Sequence, residues 1–349
     1  MKAELQEVQT KAGASFEASV PVPVSYGNDT AALGAAQTGV ALCDRSHWGR
    51  IEVRGDDRLR FLHNQSTNAF QTLQPGQLCD TVFVTSTART VDLATAWVMP
   101  DAVLLLVSPQ RRQYLLEWLD RYIFPFDKVE LKDITDTTHS FSLIGSQSEA
   151  LLERLGIAPP NPNSHCPAIV ANAEIQLGAG SGLATPGFTA IAPVSAAAAV
   201  WQAFADAGAV PLGETAWEQL RVRQGRPAPD RELTEDYNPL EAGLWRNVSF
   251  EKGCYIGQET IARLNTYKGV KQQLWGLRLS APAEPGEAIA VGEDKVGKLT
   301  SCVPTAEGAF GLAYIRTKAG GAGLRVRVGG VEGEVVEVPF ASRGYLGEE

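Results

Sequence analysis

Between Ile51 and Gln224 the sequence passes twice through one rhythm of strand and helix signals, and this repetition limits its possible folds more than any other feature. In the first pass Ile51 and Val53 alternate with charge, as in a half-buried strand. Leu59, Phe61 and Leu62 give a short helix face. Leu78 to Val84 and Val91 to Val98 read as paired strands joined through Thr85-Ser86-Thr87, and Val103 to Val107 as a third, buried strand. A helix over Gln110 to Tyr122 carries Leu115, Leu116 and Leu119 on one side, and Val129 and Leu131 close the pass. Strand–helix–strands–helix–strand is the ferredoxin-like order. In the second pass Phe141 to Ile144 is a strand, Ser146 caps a helix to Leu155, and Gly156 to Ser164 is a loop. Phe188 to Ala192 is a strand, Ser195 opens a helix to Ala207, Val210 marks a short strand, and Glu214 to Gln224 is a helix.

After Val270 short apolar runs follow one another at Leu274 to Leu279, Ala288 to Val291, Lys298 to Val303, Phe310 to Ile315, Leu324 to Val328 and Val331 to Val338. Glycine and proline turns separate them, which predicts a small all-β barrel. The expected fold class is therefore α+β, a duplicated ferredoxin-like domain followed by a small C-terminal β-barrel. Residues 29–268 form the first of these domains, in halves of about 29–135 and 136–268, and 269–349 form the barrel. Residues 1–28 are expected as a flexible, partly extended arm with Pro21 and Pro23, followed by a helix over Asp29 to Thr38. The boundary near Tyr267 to Gly269 puts Lys252 to Glu259 at a seam between domains, where ligand sites tend to form.

A formal net charge of -9 argues against general nucleic-acid binding. Five cysteines, at 43, 79, 166, 254 and 302, show no C-x-x-C pair and no disulfide framework, which points to a reducing compartment. The first residues lack a secretory pattern, and no apolar run approaches membrane-spanning length. The expected location is cytoplasmic, with no membrane partner.

Lys252-Gly253-Cys254-Tyr255-Ile256-Gly257-Gln258-Glu259 places an ammonium, a thiol, a phenol, an amide and a carboxylate in eight positions. Two glycines punctuate them, a composition poorly suited to a core strand or a helix interior. A helix is expected from Gln258 to Leu264. A cysteine beside a lysine, just before a helix start, sits where thiolate is favoured. The plainer reading is a tight turn with a buried, inert cysteine.

This segment resembles the signature K-G-C-Y-x-G-Q-E of the YgfZ-type folate-binding proteins, relatives of the glycine-cleavage T-protein (aminomethyltransferase) that work in iron–sulfur protein maturation. Asn238 to Leu244 is similar to the P-x-E-A-G-L run of both branches. Ala41 to Ser46, Ile51 to Asp57, Phe61-Leu62 and Thr67-Asn68 resemble the family's opening elements. The likeness extends roughly from Gly39 to Pro339. It implies a tetrahydrofolate-binding protein, taking the folate or a one-carbon derivative in the duplicated domain. Such a protein assists iron–sulfur cluster assembly or repair and indirectly supports tRNA modification. Its partners would be assembly proteins or client enzymes. Cys254 would be the essential thiol, Lys252 would favour its thiolate, and Tyr255, Gln258 and Glu259 would shape or polarise the site. If the chain is an enzyme, the resemblance implies a folate-dependent aminomethyltransferase of the T-protein type.

Further candidates stand beside this site. Arg221, Arg223 and Arg226 crowd a helix end; they form either a solvated, dipole-matched face or a site for the carboxylates of a folate tail. T-protein relatives show L-R-x-E-x-G there. Arg223 replaces their carboxylate and cannot accept a hydrogen bond from a pterin. Asp92 falls where relatives carry a carboxylate near the folate nitrogen, and is otherwise a turn residue. Glu241, in the shared Pro239 to Leu244 segment, completes the folate candidates. Four scattered histidines and unspaced cysteines predict no metal site and no permanent iron–sulfur cluster. Gly178, Gly180 and Gly182 read as a turn rather than a phosphate loop.

Overall fold

Each pass of the rhythm becomes a sheet in the computed structural model, which describes residues 2–347. The first sheet runs in the order Leu78–Val84, Thr90–Val98, Ala102–Val107, Gly49–Arg54, Glu130–Asp133. Numbered along the chain, that order is second, third, fourth, first, fifth. The second sheet runs His165–Val170, Ala173–Ala179, Gly187–Pro193, Thr138–Ile144, Ala41–Asp44, Val210–Leu212. It repeats the same order with one strand added. Ala41–Asp44 is inserted between the first and last strands of the second pass, antiparallel to Thr138–Ile144 and parallel to Val210–Leu212. The duplication is thus written in the topology. The fold is α+β, two ferredoxin-like halves followed by a closed six-stranded barrel.

The chain divides into two compact units that do not follow chain order. The first holds the residues up to Arg58, Leu73–Cys79 and Thr95–Glu218. Its core gathers Leu42, Phe141, Leu143, Leu151, Trp201 and Phe204. The expected arm is instead a helix, Lys2–Lys11, and a hairpin of Ser15–Glu17 with Val20–Ser25. Leu5 is buried in that same core with Val8 packed against it, and Gln9 Nε2 donates to Asp44 Oδ2 at 2.7 Å. Leu5, Val8 and Gln9 tie the helix to that core. The loop ends at Ser164, and His165 and Cys166 open the strand His165–Val170. Their hairpin turns at Ala171-Asn172, both with positive φ.

The second unit holds Leu59–Thr72, Asp80–Ala94 and the chain from Gln219 onward. Its barrel closes in the order Gln272–Leu279, Gly308–Arg316, Asp294–Thr305, Ala288–Val291, Arg325–Val328, Val331–Val336. Leu277, Leu299, Ile315, Val328 and Val335 fill it. A neighbouring cluster joins Val82, Val84 and Leu93 to Leu274, Leu312 and Tyr314. Lys252 to Glu259 lies inside this unit, not at a boundary between units. Among the described residues, no helix is long and apolar enough to cross a membrane.

Candidate functional site

The helix Arg58–Gln65 ends in a turn whose carbonyls have no helical partner, as every helix end must. Lys252, 9% exposed, reaches into that turn. Its Nζ donates to the carbonyl oxygens of His63, of Ser66 at 2.7 Å and of Asn68 at 2.7 Å. A cation at a helix carboxyl end is favoured by the helix dipole. Three carbonyls account for the three N–H donors of an ammonium. The Lys252 ammonium thus directs its protons to backbone carbonyls. A second tie follows four residues on, where Ile256 N donates to Asn64 O at 3.0 Å.

Between these two ties stands Cys254, the exposed member of five free cysteines. Cys43 is its opposite, fully enclosed with its thiol pKa pushed up by burial. Tyr255 turns inward among Ala88, Leu240, Trp245, Val248 and Ile261, and its ring lies 4.6 Å from Lys252 Nζ. Burial raises its phenol to about 12, so it shapes the segment as a neutral ring. Gly257 holds φ +80 before the helix Gln258–Thr266. A Cβ there would lie 2.8 Å from Thr85 O, so both the backbone angle and the space require glycine. Gln258 bonds through its backbone to Tyr255 O at 3.2 Å, and its side chain reaches Lys252 O at 3.5 Å. Glu259 is exposed in the first helical turn, where negative charge suits the dipole.

The structure adds a residue that the sequence did not single out. His63 is 6% exposed, and its Nδ1 accepts a hydrogen bond from Phe70 N at 3.2 Å. Burial, then the charge of Lys252, lowers its pKa, so the ring is neutral at pH 7. Its position in the last turn of a short helix gave no local signal of this, because Lys252 lies 189 residues away.

The residues assigned to folate do not converge. Arg221 is enclosed, and its Nη1 bonds Glu232 Oε2 at 2.9 Å and Arg226 O at 2.9 Å. Glu232 is completely buried and also accepts from Thr300 and Ser301 hydroxyls at 2.7 and 2.6 Å. This is an internal strut, not a ligand-facing cation. Arg226 is buried as well. Arg223 is exposed and lines a cavity of about 690 Å³ on the barrel with Arg278, Arg325, Glu334 and Glu337. Glu241 and Asn238 form a reciprocal turn: Glu241 Oε2 accepts from Asn238 N at 3.1 Å, and Asn238 Oδ1 accepts from Glu241 N at 3.1 Å. Burial raises the Glu241 carboxyl above its ordinary range. Asp92 is fully buried, with Oδ1 accepting from Leu93 N at 2.9 Å. Among the described residues no group of three or more histidine, cysteine or acidic side chains could hold a metal ion.

Over residues 5–252 the chain matches the GCVT N-terminal domain. It is 50% identical over 329 residues to a chloroplastic protein of Arabidopsis thaliana that bears a provisional transferase name, covering 92% of this chain and 76% of that one. The aminomethyltransferase of Rubrobacter xylanophilus is 28% identical over 331 residues, covering 92% of this chain and 88% of that protein. The crystal structure of glycine cleavage system aminomethyltransferase T from Bartonella henselae superposes with a TM-score of 0.85 at 20% identity, covering 97% and 98% of the two chains. At that identity the superposition speaks for the fold.

Proposed function

Because the chain belongs to the GCVT family, we propose that it binds a reduced folate and assists the assembly or repair of iron–sulfur clusters in client proteins, with Cys254 as the working thiol. The observation that carries this reading is one exposed sulfur on a segment tied at Lys252 and Ile256. Thiolate is the ligand iron–sulfur clusters take. A single exposed thiol suits transient contact with a cluster as cargo. Any influence on tRNA modification passes through the client enzymes, and the net charge of -9 supports no direct nucleic-acid contact. Five free cysteines support a reducing compartment, the cytoplasm in this proposal.

Family membership supports tetrahydrofolate, or a one-carbon derivative of it, as the cofactor. Asp92, Arg221, Arg223 and Glu241 do not fit it as a set, since three are buried and bonded within the chain and the fourth lines the barrel cavity. Calorimetric titration with tetrahydrofolate tests the cofactor directly: binding is expected, and an absence of heat at millimolar folate would remove it from the proposal.

The second reading is a folate-dependent aminomethyltransferase. It is favoured by the alignment over most of the chain with enzymes of that name. Arg223, in the place where T-protein relatives carry a carboxylate, weighs against it. Incubation with tetrahydrofolate and an aminomethylated lipoyl carrier separates the two, because only the transferase forms methylenetetrahydrofolate.

A further inference from the structure

His63 Nε2 lies beside the thiol segment, and the direction of its proton decides what it can do there. Nδ1 accepts the Phe70 N–H, so in the neutral ring the proton sits on Nε2. A protonated Nε2 has no lone pair for a metal, which rules out a Cys–His metal pair in this tautomer. It is a hydrogen-bond donor. Among the described residues Nε2 makes no hydrogen bond of its own, although the residue is 94% enclosed on its 6% exposure. The same nitrogen lies 3.7 Å from where a Cβ on Gly253 would stand. Gly253 and Cys254 are both exposed, and the His63 nitrogen is the one heavy atom within 4 Å of that Cβ position outside the chain neighbours. The ammonium of Lys252, close enough to His63 to disfavour its protonation, adds positive potential to the same spot.

We infer that His63 Nε2–H is the hydrogen-bond donor for an anionic group that engages Cys254. The inference rests on the reading of Cys254 as the working thiol. The shared chemistry is a negatively charged acceptor carried next to the atom the sulfur attacks or ligates, whether a sulfide of a cluster or a carboxylate. A purely structural His63 would serve Phe70 N alone and be indifferent to the charge of what approaches the thiol.

The test is site-resolved alkylation of the full chain by iodoacetate, which is anionic, and iodoacetamide, which is neutral, followed by peptide mass spectrometry. In both reactions the thiolate forms the C–S bond and iodide leaves. The readout is the ratio of the two rates at Cys254. A hydrogen bond to a charged group is stronger than one to a neutral group by enough to change a rate about five- to tenfold. His63→Phe is expected to lower the iodoacetate-to-iodoacetamide ratio by about that factor, and His63→Gln, which retains an N–H, to restore part of it. Gly253→Ala is the second variant: its Cβ meets Nε2 at an ordinary contact distance, so it fits while covering the donor. The ratio is expected to fall there too. A ratio within about twofold of wild type in both His63→Phe and Gly253→Ala overturns the inference while leaving Cys254 as the working thiol. A wild-type Cys254 that reacts no faster than Cys79, Cys166 or Cys302 overturns both.

Discussion

Replacing Lys252 by methionine should unfold the turn that carries the thiol segment more than it should change the sulfur. Methionine keeps an unbranched, apolar side chain of similar length and removes the charge. The structure loses three charge-assisted bonds, to His63 O, Ser66 O and Asn68 O. Each such bond contributes about 1.5–3 kcal/mol, but they share one donor group and are not additive. Water can reach the partly buried Asn68 carbonyl and offset some of the loss. Relief from desolvating the ammonium offsets more. The attraction to the Tyr255 ring, 4.6 Å away, is also lost. The expected cost is about 3–5 kcal/mol, the range for removing one partner of a buried charged interaction. Urea unfolding followed by tryptophan fluorescence measures it, and amide exchange locates it. Protection should drop at Ile256 N, which bonds Asn64 O on the same turn. Stability within about 1 kcal/mol of wild type, together with a tenfold or greater slowing of Cys254 alkylation, would refute the reasoning, because it would place the ammonium's work at the sulfur.

Arg221→Ala should cost about 3–5 kcal/mol by leaving the buried Glu232 carboxylate without its cation, and Arg221→Met with Glu232→Leu should recover most of that, as measured by denaturant titration. A cheap single alanine would return Arg221 to the ligand candidates. Gly257→Ala should destabilise by at least about 1–2 kcal/mol from the left-handed backbone alone, before the approach to Thr85 O is relieved; an unchanged unfolding midpoint would contradict it. The pKa of His63 is lowered in the fold, so the unfolded chain binds its proton first as the pH falls. Its contribution is full above the ordinary histidine range and is lost as the pH drops through the folded value. Stability of the wild type relative to His63→Gln should therefore fall on acidification below about pH 6.5, and a rise would contradict the assignment of a neutral ring.

What the sequence disclosed and what it concealed divide by range. Strands with strong alternation or continuous apolar runs, such as Leu78–Val84, Ala102–Val107 and those of the barrel, were legible because a strand's pattern is local. The place of Ala41–Asp44 in the second sheet was not, since its partner Thr138–Ile144 lies about a hundred residues further on and pairing leaves no local mark. The turn of the hairpin at Ala171-Asn172 carries neither glycine nor proline, although both residues take positive φ, so the usual turn signal was missing. At the site, the unusual chemistry of Lys252 to Glu259 was visible, but its geometry was not. Lys252 and Cys254 are neighbours in sequence, yet the ammonium turns to carbonyls 184 to 189 residues away. Arg221, Arg223 and Arg226 looked like one cluster along the helix. Burial separates them: Arg221 and Arg226 go inward, and Arg223 goes out to the barrel cavity.

The most direct test of the central claim is Cys254→Ala in a strain lacking a YgfZ-type protein, read out as the activity of an iron–sulfur enzyme in the extract. The exposed sulfur contributes little to the fold, so stability should stay within about 0.5 kcal/mol of wild type, checked by urea unfolding of the purified variant. Wild type is expected to restore the client enzyme's activity, and a folded Cys254→Ala at equal abundance is expected to leave it at the level of the empty strain. Full restoration by that variant would contradict the claim that this thiol carries the function.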